Sequence, residues 1–314
     1  MPTDELASAA ADATAAAATA AAATAAASTA AAATAAAATA AWGARVRAHH
    51  DQTARVRETP EAVDFYAPVT QVFIADPRRT DDEVLDHLLP LARPDDRWLD
   101  IGAGAGRYAL PLALRVREVI ALDPSPGMLA ALLEQTIEHG IANVRTVESR
   151  WPMDPAAGTP PGTPPAADVA LIANLGYDVE AIGPFLDAME AAAGRLCVAI
   201  LADRQPSTPA HVFWPPVHGE KRAGLPALDA FLDLLRARGR DPWEARVARP
   251  VRGFPTRDEL ARWLRNQLFL EGGSAKDAVL ERELDARMVT HRDGSLSLAS
   301  QVPMATGIVT WEPR

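Results

Sequence analysis

WLDIGAGAGRYALPLA, Trp98 to Ala113, decides the reading of this chain. Gly102, Gly104 and Gly106 crowd a five-residue window between an apolar run ending at Ile101 and a helix-like pattern starting at Tyr108. Glycine permits a tight strand-to-helix turn and lets backbone N–H groups approach a ligand that a Cβ would hold away. In an open α/β sheet such a turn sits beyond the carboxyl end of a strand, where ligands bind. Downstream, REVIALDPS ends an apolar run in Asp123, 17 residues after Gly106. A carboxylate there can accept hydrogen bonds from both hydroxyls of a ribose.

Strand and helix signals alternate around this turn. Trp98 to Ile101, Glu118 to Leu122, Val144 to Val147, Val169 to Ala173 and Leu196 to Leu201 are short apolar or β-branched runs. Helix-like segments separate them, starting near Tyr108, Met128 and Ile182. This alternation predicts an α/β fold with a doubly wound, mostly parallel sheet covered on both faces. Met153 to Asp168 is rich in proline and glycine and predicts a surface excursion. Residues 203–280 turn helical, with LPALDAFLDLLRARG and TRDELARWLRNQLFL, the latter opened by an N-cap at Thr256 and first-turn acids at Asp258 and Glu259. Residues 281–314 read as two strands around the turn signal Asp293-Gly294.

Upstream, Thr80 is a candidate N-cap for Asp81 to Leu91, within a helical prelude spanning residues 42–97. Residues 1–41 are an alanine-rich extension with threonine at every fifth position from Thr14 to Thr39. A five-residue step advances roughly 140° around a helix, so these threonines spiral and build no sustained face. With Asp4 and Glu5 at its start and a weakly apolar body, the tract reads neither as a signal peptide nor as a membrane span.

The formal charge of -10 argues against a nucleic-acid partner held by overall attraction. Of 31 basic residues only Lys221 and Lys276 are lysine, a bias of GC-rich coding, so arginine abundance alone signals no phosphate recognition. The nine arginines between Arg236 and Arg265 read as a solvated helix face. Cys197 is the single cysteine, which excludes an intrachain disulfide and a cysteine-built zinc cage and fits a reducing, cytoplasmic setting.

Which nucleoside cofactor is meant depends on the glycine spacing. The dinucleotide pattern G-x-G-x-x-G would place its third glycine where Arg107 stands; here the pattern is G-x-G-x-G, with Asp100 two residues ahead. A carboxylate there repels a pyrophosphate and suits the ammonium of an amino-acid moiety, favouring S-adenosylmethionine over NAD. LDIGAGAGR and VIALDPSPGML together resemble motif I and the acidic second-strand motif of class I S-adenosylmethionine-dependent methyltransferases. The resemblance spans Trp98 to Leu201 and implies a seven-stranded sheet closed by an antiparallel strand pair. It implies that Asp100, Gly102, Gly104 and Gly106 line the methionine end, that Asp123 binds the ribose, and that Pro124, Ser125 and Met128 flank ribose and adenine. The family's adenine contact after the third strand falls in VESRWP, making Glu148, Ser149, Arg150 and Trp151 candidates. Because helices before the first strand fold over the cofactor in this family, Tyr66 is a candidate lid residue, with Phe65 beside it.

On the acceptor side, Asn174 and Tyr177 repeat the outer positions of the family's N-P-P-Y amine-binding motif, with Leu175 and Gly176 in place of the prolines. HVFWPPVHGEKR offers His211 and His218 as bases near neutral pH. Their separation of seven does not match a metal-binding pair, and no metal is expected. His49 and His50 read as surface residues. The expectation is therefore methyl transfer by in-line displacement to an oxygen or nitrogen of a small-molecule acceptor, without membrane or nucleic-acid partners. Alternatives are a nucleic-acid or protein methyltransferase, a non-catalytic S-adenosylmethionine-binding protein, and an NAD(P)-dependent oxidoreductase.

Overall fold

The computed structural model describes residues 3–60, 70, 73–153 and 166–313. Tyr66, Phe65 and most of the expected Pro/Gly-rich excursion lie outside them. The chain opens on one long helix, α1 (Thr3–Val56), followed by α2 (Glu83–Leu88) and a 3₁₀ turn, Leu89–Leu91. Then come β1 (Arg97–Ile101), α3 (Ala109–Ala113), β2 (Glu118–Asp123), α4 (Pro126–His139), β3 (Val144–Glu148), β4 (Ala167–Ala173), α5 (Ile182–Ala192) and β5 (Ala193–Ala202). The remainder holds α6 (Trp214–His218), α7 (Leu228–Ala237), β6 (Trp243–Arg249), α8 (Arg257–Leu268), α9 (Ala275–Arg287), β7 (Met288–Thr290), β8 (Leu296–Leu298) and β9 (Met304–Trp311).

Seven strands form one sheet in the order β3-β2-β1-β4-β5-β9-β6, with β9 antiparallel to both of its neighbours. Strand order reverses between β1 and β4, which creates the crevice in which doubly wound sheets bind ligands. Successive strand residues face opposite layers. Leu99, Ile101, Ile120 and Leu122 pack with Trp42, Phe185 and Phe231, whereas Trp98, Val119 and Ala121 pack with Leu85, Leu88 and Leu110. A third core, built from Phe213, Trp214, Leu260, Leu264, Leu280 and Leu298, belongs to the segment after β5.

Two boundaries differ from expectation. The hairpin around Asp293-Gly294 is β7–β8, a separate two-stranded sheet whose Leu298 packs into the third core. The main sheet is completed instead by β9 and by β6, which lies within the segment expected to be helical. In β6 only Val247 is buried, and Glu244 and Arg246 lie along this edge strand, as suits an edge that must resist pairing with another chain. The N-cap of α2 is Asp82 rather than Thr80: the Asp82 carboxylate accepts from the Val84 N–H.

Alanine's helix propensity carries α1 without a break across the end of the tract. Ala22 to Thr34 is exposed, and Thr29 and Thr34 donate to carbonyls four residues back. From Trp42 onward a buried stripe develops, through Val46, His49, Thr53 and Val56, at helical spacing. Trp42 meets Phe231 edge-on, and its Nε1–H donates to the Val179 carbonyl. Truncation up to Thr34 should therefore shift the thermal midpoint by no more than about 2 °C. Trp42→Ala should cost about 3–5 kcal/mol in denaturant unfolding.

Candidate active site

At the β1/β4 switch point lies a cavity of about 460 Å³, within the range of small-molecule and cofactor sites. Asp100, Gly102, Gly104, Asp123, Pro124, Met128, Trp151 and Asn174 line it, as the sequence suggested. So do Phe73, Arg107, Tyr108, Arg150, Leu175 and Asp178, most of which the sequence reading passed over. Phe73 comes from the prelude, the segment in which Tyr66 was the expected contact. The apolar TQVFIA around it was the available signal.

The glycine turn is a fitted cradle. Gly102 has φ +75°, and a Cβ there would stand 2.9 Å from Leu175 Cδ2. Gly106 serves packing instead: it does not line the cavity, and a Cβ there would stand 2.9 Å from Leu110 Cγ. Asp123 ties two loops together, one carboxylate oxygen accepting from the Gly104 N–H at 2.9 Å and the other from the Ser125 N–H at 2.9 Å. These amides orient the Asp123 carboxylate in the cavity wall.

Asp100 is fully buried at the end of β1, and its Oδ1 has no hydrogen-bond partner among the described residues. Burial, reinforced by the Asp123 charge, pushes its pKa up to about 7. A buried, unpartnered carboxyl bordering a glycine cradle suits a ligand that brings positive charge.

Several expected site residues sit elsewhere. Ser125 caps α4 by accepting from the Met128 N–H, and Ser149 Oγ donates to the Arg150 carbonyl; neither lines the cavity. Tyr177 is buried behind the wall, where its hydroxyl accepts from the Ala202 N–H at 2.5 Å and burial raises its pKa to about 12. It packs rather than stacking on an acceptor, because without the two prolines the turn takes a different course through Asn174 at φ 54° and Gly176 at φ 105°. Tyr177→Phe should cost about 1–3 kcal/mol in unfolding, the consequence of a buried amide left unsatisfied, with turnover unchanged.

Neither His211 nor His218 reaches the cavity. His218 Nε2 donates to the Leu268 carbonyl at 3.0 Å, and its ring lies tilted against that of Trp214, 4.5 Å between centres. Burial, with Arg222 and His49 nearby, lowers His211 to about 4. His49 is buried, contrary to its surface reading: its Nδ1–H donates to the Ala223 carbonyl, while its Nε2 accepts from Arg222. The arginines after Arg236 are not a simple solvated face either. Arg238, Arg240, Arg246, Arg257 and Arg265 pair with Asp187, Glu190, Asp229, Asp285 and Asp277.

Residues 99–159, which contain the glycine turn and Asp123, match the family model described as "Methyltransferase domain". Over those residues the chain is similar to a methyltransferase domain. The orphaned Asp100 oxygen and the glycine cradle, with Asp123 in the same cavity wall, fit a cationic amino acid joined to a nucleoside.

Among curated relatives, 23S rRNA (uracil(1939)-C(5))-methyltransferase RlmD of Stenotrophomonas maltophilia is 36% identical over 75 residues, covering 23% of this chain and 17% of that protein. Its counterpart in Xanthomonas campestris is 38% identical over 65 residues, covering 20% and 15%. The match thus spans about a sixth of these relatives. Among solved structures, the YcgJ protein of Bacillus subtilis is 15% identical over 74% of this chain and 99% of its own, with a TM-score of 0.48. Magnesium protoporphyrin IX methyltransferase of Synechocystis, solved with bound S-adenosylmethionine, is 11% identical over 81% and 100%, with a TM-score of 0.43.

The rRNA methyltransferases among these relatives overturn the expectation against a nucleic-acid partner. Net charge sums the whole surface, whereas acceptor binding depends on the few groups at one opening. Among the described residues, no helix is long and apolar enough to cross a membrane.

Proposed function

We propose that this protein transfers a methyl group from S-adenosylmethionine to an oxygen or nitrogen of an acceptor presented at the carboxyl ends of β4 and β5, in the cytoplasm. When bound, the cofactor supplies a sulfonium-activated methyl group. The protein's part is then to hold the nucleophile in line with that methyl and to exclude water. Asp100 meets the cationic amino-acid end, the Gly102–Gly104 backbone frames it, and Asp123 accepts from the ribose. Asn174, exposed at the cavity rim beside Asp178, supplies a polar group at the acceptor's approach. The observation that carries the reading is the buried, unpartnered Asp100 facing a glycine cradle that Asp123 anchors.

Oxygen or nitrogen is favoured over the uracil carbon named for the RlmD relatives. A ring carbon of that kind is a weak nucleophile unless a protein group first adds to the ring. The single cysteine, Cys197, is buried within β5, and burial pushes its thiol pKa far up. With both candidate histidines away from the cavity, the reading relies on positioning rather than on a histidine base.

Calorimetric titration tests it. S-adenosylmethionine and S-adenosylhomocysteine should bind in the micromolar range and NADH should not. A folded sample that binds neither of the first two would refute the assignment.

A further inference from the structure

A second cavity, of about 200 Å³, opens at the same end of the sheet between β5, β6, β9 and α8. Ala202 on β5 belongs to its wall, while Ala173 on the adjacent parallel strand β4 belongs to the wall of the cofactor cavity. Neighbouring strands run about 4.8 Å apart, so the two cavities are close neighbours across the sheet edge. Asp82 links them: its carboxylate accepts from Arg107, a wall residue of the first, at 3.0 Å and lies 3.9 Å from Arg249, a wall residue of the second. Arg79 also pairs with Asp82, so three guanidiniums surround one buried carboxylate and leave a net positive charge between the cavities.

The lining of the second cavity is distinctive. It contains Arg249, Arg252, Phe254 and Trp263, and no carboxylate. Arg249 donates from Nε to Thr306 Oγ1. The Arg252 guanidinium lies 4.8 Å from the Phe254 ring centre and 5.8 Å from that of Trp263, and no ion pair or hydrogen bond engages it among the described residues. The nearby Asp203 pairs with Arg204 and is not part of the wall. Arg252 has no acid beside it and Arg249 shares Asp82 with two other guanidiniums, so the cationic charge is incompletely neutralised; set against aromatic rings, it favours an anion attached to a flat ring, since rings stack on Trp and guanidinium forks match carboxylate or phosphate. The volume, below that of a typical ligand site, suits one ring-sized group rather than a whole large ligand.

We propose that this second cavity is the acceptor subsite, and that the acceptor carries a planar ring with an anionic substituent held by Arg249 and Arg252. This rests on the methyltransferase reading above and specifies its acceptor. Such chemistry has two sources, a nucleotide or a small aromatic acid.

The test uses the full chain saturated with S-adenosylhomocysteine and titrated with uridine 5′-monophosphate, benzoate, uridine and inorganic phosphate, followed by ligand-observed NMR. At least one of the two ring-plus-anion probes should bind, about tenfold or more tighter than uridine or phosphate alone. Arg249→Gln, Arg252→Gln and Trp263→Leu should each weaken that probe about fivefold or more while S-adenosylhomocysteine affinity, which reports intact folding, is unchanged. Preference for the nucleotide over benzoate would identify a nucleotide source, and the reverse a small acid. Absence of binding by both probes, or binding that the Arg249→Gln/Arg252→Gln double variant leaves unaltered, would overturn the subsite while cofactor binding upheld the methyltransferase reading. If the cofactor itself failed to bind, both would fall.

Discussion

Asp123→Ala should weaken S-adenosylmethionine binding about 10- to 100-fold, read by calorimetry at neutral pH. Hydrogen bonds to a charged group contribute about 1.5–3 kcal/mol, and each 1.4 kcal/mol is a factor of ten. The substitution removes the acceptor for the ribose diol and also releases the Gly104 and Ser125 amides that Asp123 holds at 2.9 Å. Asp123→Asn separates these effects. Its one carbonyl oxygen can still accept, but its amide nitrogen cannot, so an intermediate loss is expected. An alanine variant that remains folded and binds as the parent does would remove Asp123 from the ribose site.

The cofactor half of this molecule was legible because its signals are local. Three glycines, a preceding carboxylate and an acid ending the next strand lie within one βαβ unit, and the structure brings Asp100, Gly102, Gly104 and Asp123 to one cavity. The acceptor half was not legible because its residues come together only through tertiary packing. Arg249 ends an edge strand in a stretch whose arginines read as a solvated helix face, and Arg252 meets Trp263 across a loop. His211 and His218 suggested chemistry by residue type alone, yet they serve the insertion's own core, where their partners are Ser207 and the Leu268 carbonyl. Tyr177 shows the same limit. Its spacing from Asn174 imitates an acceptor motif, while its hydroxyl secures the end of β5. For the alanine tract, the five-residue threonine spacing suggested no packing face, but it could not show that the helix becomes part-buried at Thr39 and continues into the buried stripe beginning at Trp42.

Asp100→Asn should stabilise the ligand-free protein above neutral pH and abolish a pH dependence of cofactor binding. The ordinary pKa of 3.8 rises to about 7 in the fold, through burial first and then the Asp123 charge. Between those values the folded protein keeps a proton that the unfolded chain has released, so the unfolding free energy falls as pH rises from about 4 to 7 and levels off above. This group's stabilising contribution is complete below about pH 4 and lost above about pH 7. Asparagine, close in shape and never charged, removes the loss. The variant should therefore match the parent at or below about pH 4, begin to exceed it by pH 5 and exceed it by a few kcal/mol at pH 8 in denaturant unfolding. Binding has the opposite sign, because a cationic ligand favours the ionised carboxylate. Parent affinity should rise between pH 6 and 7.5 with release of a proton, detectable as a dependence of the calorimetric heat on buffer ionisation enthalpy. The asparagine variant should bind more weakly at pH 7.5 and show neither effect. Parent binding that is flat with pH and releases no proton would mean that Asp100 shapes the turn without meeting the ligand's charge.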